Sequence, residues 1–177
     1  MTRLPLRWLC VPAALLAGCL SSAPPAPPPR FFDPMPAPAA APSAVPAKFT
    51  VRVLAAPHLG ADFVVRTAVG AVVFDPVHRW IAPVRELVAA AIERQVVSPA
   101  PGAEVVEVHV AAFEVDLTAA PRAHVRLLCR APGRPLGEID AWAPVGGPAP
   151  GDHAAAMAIA LADAVGRLVP LVVAGGG

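Results

Sequence analysis

The sequence predicts an α/β domain, a two-layer sandwich in which a mixed, mostly antiparallel sheet carries two amphipathic helices on one face. Three observations lead there. Trp80–Ile92 and Met157–Leu168 repeat apolar residues at spacings of three and four, the period of a half-buried helix. The segments between them alternate apolar and polar residues, the period of a strand. Proline, glycine and aspartate punctuate the chain, giving the order strand, hairpin, helix, three-strand meander, helix.

Phe49, Val51 and Val53 alternate with Thr50 and Arg52 and start the sheet. Asp62–Thr67 and Ala71–Phe74 follow as a hairpin around Gly70, and Asp75-Pro76 ends it. Trp80, Ile81, Val84, Leu87, Val88, Ala91 and Ile92 then share one helix face. Pro83 fits only a first turn, so the regular helix is expected from about Ile81 to about Val96. In the next strand Val106, Val108 and Val110 are apolar on even numbers, but Phe113, Val115 and Leu117 on odd ones. A period of two cannot change parity without an extra residue, so a bulge is expected near Ala111-Ala112. Val125, Leu127 and Cys129 face the core from the following strand. A register with Val115 opposite Val125 pairs Glu114 with Arg126 and Asp116 with His124. Pro132-Gly133 turns into Leu136–Ala143. The last helix is expected from Gly151-Asp152, with Asp152 as N-cap, and Pro170 is expected to end it.

The first residues read as an address. Arg3 and Arg7 precede an apolar run from Trp8 to Ala17, too short for a bilayer span of about twenty residues and right for a secretory signal over 1–18. Leu16-Ala17-Gly18-Cys19 resembles the lipobox of bacterial lipoproteins. That resemblance implies cleavage before Cys19, acylation of its thiol and often of its amine, and anchoring to a membrane through the lipid. No aspartate follows Cys19, which by the same resemblance favours the outer membrane, facing the periplasm. Residues 19–47 form a Pro/Ala-rich linker, extended and unable to build helix or sheet. Within it Arg30-Phe31-Phe32-Asp33 reads either as a segment docked on the domain as an edge strand or as linker with two apolar residues. The folded domain occupies 48–173.

Charge and chemistry narrow the function. The net charge is +1 and charged residues are 15% of the chain, so no strong field draws it to nucleic acid. His58, His78, His109, His124 and His153 stand in no zinc pattern, and Cys10, Cys19 and Cys129 form neither a disulfide framework nor a metal motif. No GxSxG elbow occurs, and Gly146-Gly147 lacks the Lys-Ser/Thr of a phosphate loop. Cys129 lies on an apolar strand face, where a thiol behaves as a small hydrophobe. No catalytic set, cofactor site or metal site emerges, and an enzyme is not expected.

The chain resembles the ABC-type transport auxiliary lipoproteins, the outer-membrane components of paraquat-inducible and MCE-type lipid transport systems. The resemblance is carried by Asp75-Pro76-Val77-His78-Arg79-Trp80-Ile81-Ala82-Pro83 between hairpin and first helix. Ala56-Pro57-His58-Leu59, the phase-shifted strand Val105–Leu117, the lipobox before a Pro/Ala tract and the aromatic Arg30-Phe31-Phe32 add to it. The aromatic start lacks tyrosine, and the loop at Gly60-Ala61-Asp62 departs from the family pattern. What the resemblance implies is a docking module without enzymatic activity. Its partner is an MCE-domain protein of a lipid transporter, and some members assemble into homo-oligomeric rings. Another periplasmic envelope-assembly module is the alternative. Arg79 and Trp80 are then candidates for a partner interface. Read as packing, Trp80 lies under the helix and Arg79 pairs with a carboxylate, and that reading is the stronger.

Overall fold

The computed structural model describes residues 26–35, 49–67, 71–96 and 102–175. Seven strands form one sheet: β1 (Arg30–Phe32), β2 (Phe49–Ala55), β3 (Asp62–Arg66), β4 (Val72–Trp80), β5 (Glu104–Asp116), β6 (Arg122–Ala131) and β7 (Arg134–Pro144). Helix α1 (Val84–Glu93) follows β4 and α2 (Pro150–Gly175) follows β7. The sheet order is β1-β4-β3-β5-β6-β7, with β2 also on β5. β6 runs antiparallel along one edge of β5. The other edge of β5 takes two strands end to end, both parallel: β2 along Glu104–Val110 and β3 at Val115–Asp116.

The alternation predicted from sequence places the core. Val106, Val108 and Val110 of β5, then Phe113 and Val115, face the same layer as Val125, Leu127 and Cys129 of β6 and Ile139 and Ala141 of β7. The β5–β6 register shifts between Val110 and Ala112, where the parity of the apolar residues changes. Above this face lie Val84, Leu87, Val88, Ala91 and Ile92 of α1 and Met157, Leu161, Val165 and Leu168 of α2. Buried Ala156, Ala160 and Ala164 let α2 approach the sheet closely. Each fully buried Val, Leu or Phe contributes about 1.5–3 kcal/mol, so this single cluster holds the two layers together. The helices cover one face, and no described helix covers the other, called the open face below.

Four expectations need correction. First, Asp75-Pro76 does not end β4, which continues to Trp80. Phe63 pairs with Asp75 but Asp62 with Arg79, so β4 carries extra residues there. The Asp75 carboxylate accepts hydrogen bonds from the backbone N–H groups of Val77 and His78 (2.8 and 3.0 Å) and satisfies the donors the bulge frees. Proline needs no partner for an N–H it lacks. Second, Trp80 and Ile81 therefore precede the helix, which starts at Val84 after Pro83 and ends at Glu93. Third, the β5–β6 register differs by two: Phe113, not Val115, faces Val125, Glu114 faces His124, and Asp116 faces Arg122. Fourth, α2 begins at Pro150 and runs through Pro170 to Gly175. Asp152 is not its N-cap residue. Its carboxylate reaches back to the N–H of Ala149 (3.2 Å), the returning half of a capping box. Pro170 and Gly166, whose carbonyl loses its donor, are both exposed to water, while Leu168 and Val172 on either side are buried. Gly137 in β7 adopts φ +147°, and Leu171 packs 3.6 Å from where a Cβ would stand.

Candidate functional site

Of the residues singled out in the sequence, Cys19 lies outside the described residues. Arg79 and Trp80 end β4, where β3, β4 and the edge strand β1 meet. Phe31 and Phe32 of β1 pair in parallel with Arg79 and Trp80, and Phe32 C=O accepts the N–H of Ile81 (3.0 Å). The aromatic segment is thus docked as an edge strand. Phe32 packs on Phe63 and His78, with ring centroids 5.3 and 5.8 Å away.

Trp80 is 1% exposed. It lies against Phe63 (3.9 Å between centroids) and edge-on to Phe113 (5.4 Å, 83°), in an aromatic cluster under the sheet–helix junction. Its indole N–H has no hydrogen-bond partner among the described residues. Arg79 points the other way. Its Nε stands 2.8 Å from Asp62 Oδ1, an ion pair by distance whose N–H is not aligned as a hydrogen bond. The two neighbours therefore differ: a partner could touch the part-exposed Arg79, whereas the Trp80 ring has no free face.

Beside them His78 Nδ1 and Asp75 Oδ2 are 2.6 Å apart. Burial opposes ionisation of Asp75, but the hydrogen bonds from His78 and from the Val77 and His78 backbone outweigh it and hold the carboxyl below its usual value. Asp75 is an element of the bulge, which its reading as a turn residue missed.

The open face carries a second cluster that the sequence did not announce. Glu114, 4% exposed, accepts two hydrogen bonds from Arg66, at 2.7 and 3.0 Å. His124 bridges carboxylates, with Nδ1 3.5 Å from Glu114 and Nε2 2.5 Å from Asp140. Trp142 stacks on the imidazole at 3.7 Å, and the Arg122 guanidinium lies 3.9 Å above the Trp142 ring. Burial pushes the Glu114 carboxyl upward, but His124 and Arg66 overcome it and hold it low. Asp116 is held low by the hydroxyl and N–H of Thr118. Arg126 pairs with Glu138, and Arg52 with Glu107.

These groups neutralise one another. His124 has carboxylates near both ring nitrogens, and among the described residues no hydroxyl or thiol hydrogen-bonds to it. Burial pushes the Cys129 thiol up to about 11, so it stays protonated and unreactive. Among the described residues no group of three or more His, Cys, Asp or Glu is arranged to hold a metal ion. A shallow depression of about 630 Å³ near the β6–β7 turn, lined by Val105, Glu107, Arg130 and Pro135, is open to solvent. The arrangement suits a rigid surface for contact.

No family model matches the sequence, and no curated protein matches it. Solved structures do resemble the fold. A Xanthomonas campestris protein described as DUF330 superposes with a TM-score of 0.65 at 20% identity, over 82% of this chain and 96% of that one. An uncharacterized protein superposes with a TM-score of 0.61 at 12% identity, over 81% and 98%. At these identities the likeness shows a shared two-layer α/β fold.

Proposed function

We propose that the chain is a lipid-anchored accessory component of an ABC-type, MCE-type intermembrane lipid transport system, held at the outer membrane through Cys19 and facing the periplasm. It works by docking on an MCE-domain protein, without catalysis. The observation that carries this reading is the order of parts. Leu16-Ala17-Gly18-Cys19 and a proline tract lead into an aromatic strand docked beside His78-Arg79-Trp80. The domain behind them pairs Arg66 with Glu114, Arg126 with Glu138 and Arg122 with Asp116, which suits a scaffold. Arg79, part exposed at the β1 edge, is the residue proposed to contact the partner, since exposed arginines are frequent interface hot spots.

Two measurements test the reading. The wild-type chain, purified from solubilised membranes, should bring an MCE-domain protein with it, and Arg79→Ala should weaken that recovery. Cys19→Ala should move the chain to the soluble fraction. Recovery of envelope-assembly proteins and no MCE-domain protein would overturn the transport assignment in favour of the other periplasmic role.

A further inference from the structure

The strands give the domain two unlike ends. At one end β3 and β5 finish, β4 and β6 begin, and β7 hands over to α2. Its described loops, Leu117–Pro121 and Val145–Ala149, contain no charged residue, and neither does the sequence from Thr67 to Phe74. Apolar side chains stand out there: Val72, Val73 and Phe74 are 36, 50 and 46% exposed, and Leu117 is 37% exposed. Trp142, also 37% exposed, sits at the rim under the Arg122 guanidinium. The opposite end is charged: α1 ends on Glu93 with Arg94 as its cap, and Arg130 stands at the β6–β7 turn.

The direction of β1 says what the uncharged end meets. β1 runs parallel to β4, so the chain enters it from the side where β4 begins, which is the uncharged end. Ten residues, 20–29, separate Arg30 from Cys19. Extended at about 3.1 Å each they reach about 30 Å. A lipid at Cys19 is thus within reach of this end, the side from which the chain enters β1.

We propose that this end rests on the lipid bilayer itself, with Val72, Val73, Phe74 and Leu117 entering the interfacial layer. Trp142 and Arg122 lie at headgroup depth, where an aromatic ring and a cation are both favoured. The proposal rests on the reading of Cys19 as the anchor. It adds a second contact, one that fixes the orientation of the domain instead of leaving it free on its linker.

The test uses the full lipidated chain in phosphatidylethanolamine–phosphatidylglycerol vesicles, with a photoreactive diazirine amino acid replacing Val73 or Ile159. Ile159 is the control, 60% exposed on α2 and away from the uncharged loops. Lipid adducts should form at position 73 several-fold more than at position 159. Equal yields at the two positions overturn the proposal. So do adducts from position 73 to protein, which would mark a second copy or a protein partner there. Flotation reads the anchor by itself: wild type floating while Cys19→Ser does not marks an acyl anchor, whatever the adducts show. A wild-type chain that neither floats nor crosslinks to lipid overturns both.

Discussion

Replacing Glu114 by Gln tests whether the open face is held by its charge network. Glu114 is 4% exposed and lies between Arg66 and His124. The amide keeps the shape but removes the charge that Arg66 and His124 face. Breaking a buried ion pair typically costs about 3–5 kcal/mol, because the remaining charge is left desolvated. Arg66 is 38% exposed and can recover part of its hydration, which lowers the expected loss to about 2 kcal/mol. For a chain of this size that is a fall in Tm of about 4–8 °C. Denaturant unfolding at pH 7 reads the loss directly. Acidification supplies the sign. The folded-state pKa of Glu114 is lowered, so its stabilisation is complete above the ordinary glutamate value of about 4.3 and disappears as the pH falls through the folded value. The gap between wild type and Glu114→Gln should therefore close below about pH 4. A variant within about 0.5 kcal/mol of wild type at pH 7, or a gap that persists in acid, would refute the reasoning.

Phe32→Ala should release β1, because its ring on Phe63 and His78 is the main packing of a strand only three residues long. Hydrogen exchange would show a faster Ile81 amide, whose partner is Phe32 C=O, and an unchanged Val125 amide in the sheet centre. Pro170→Ala should raise stability by about 1 kcal/mol or more, since it restores a donor to Gly166 C=O in an exposed turn of α2. Thermal unfolding checks this, and a lower Tm would mean that the proline positions Val172.

Sequence reading succeeded where periodicity has one physical solution. A parity change within an apolar strand needs an inserted residue, and β5 has it between Val110 and Ala112. It failed where two solutions share the same faces. Sliding β6 by two residues leaves every side chain on its side, so alternation cannot choose between Val115 and Phe113 as the neighbour of Val125. The Asp116–Thr118 hydrogen bonds, which tighten the turn, accompany the register that forms. Asp75-Pro76 was misread because a proline and an aspartate usually end a strand, whereas here the aspartate caps the donors of the bulge. Pro170 was misread because apolar anchoring at Leu168 and Val172 outweighs one lost hydrogen bond on a wet side. The contact of Arg66 with Glu114 depends on β3 lying parallel to β5, a long-range pairing that no local pattern announces. The burial of Trp80 was legible, since large aromatics seek burial, whereas the docking of Phe32 was one of two readings the sequence left open. The cluster of Glu114, His124 and Asp140 was legible only as polar residues on one face.

The placement of β2 and β3 end to end along β5 also sets an order of events. As the chain emerges from its N-terminus, β3 and β4 can form a local hairpin. Neither β2 nor β3 has its long-range edge until β5, tens of residues later, has appeared. Parallel pairings that span such a distance form slowly, because the loop must close before any contact rewards it. The sheet of the first half is therefore completed only when β5 is available. A polypeptide built this way delays its cooperative folding until most of the domain has been made.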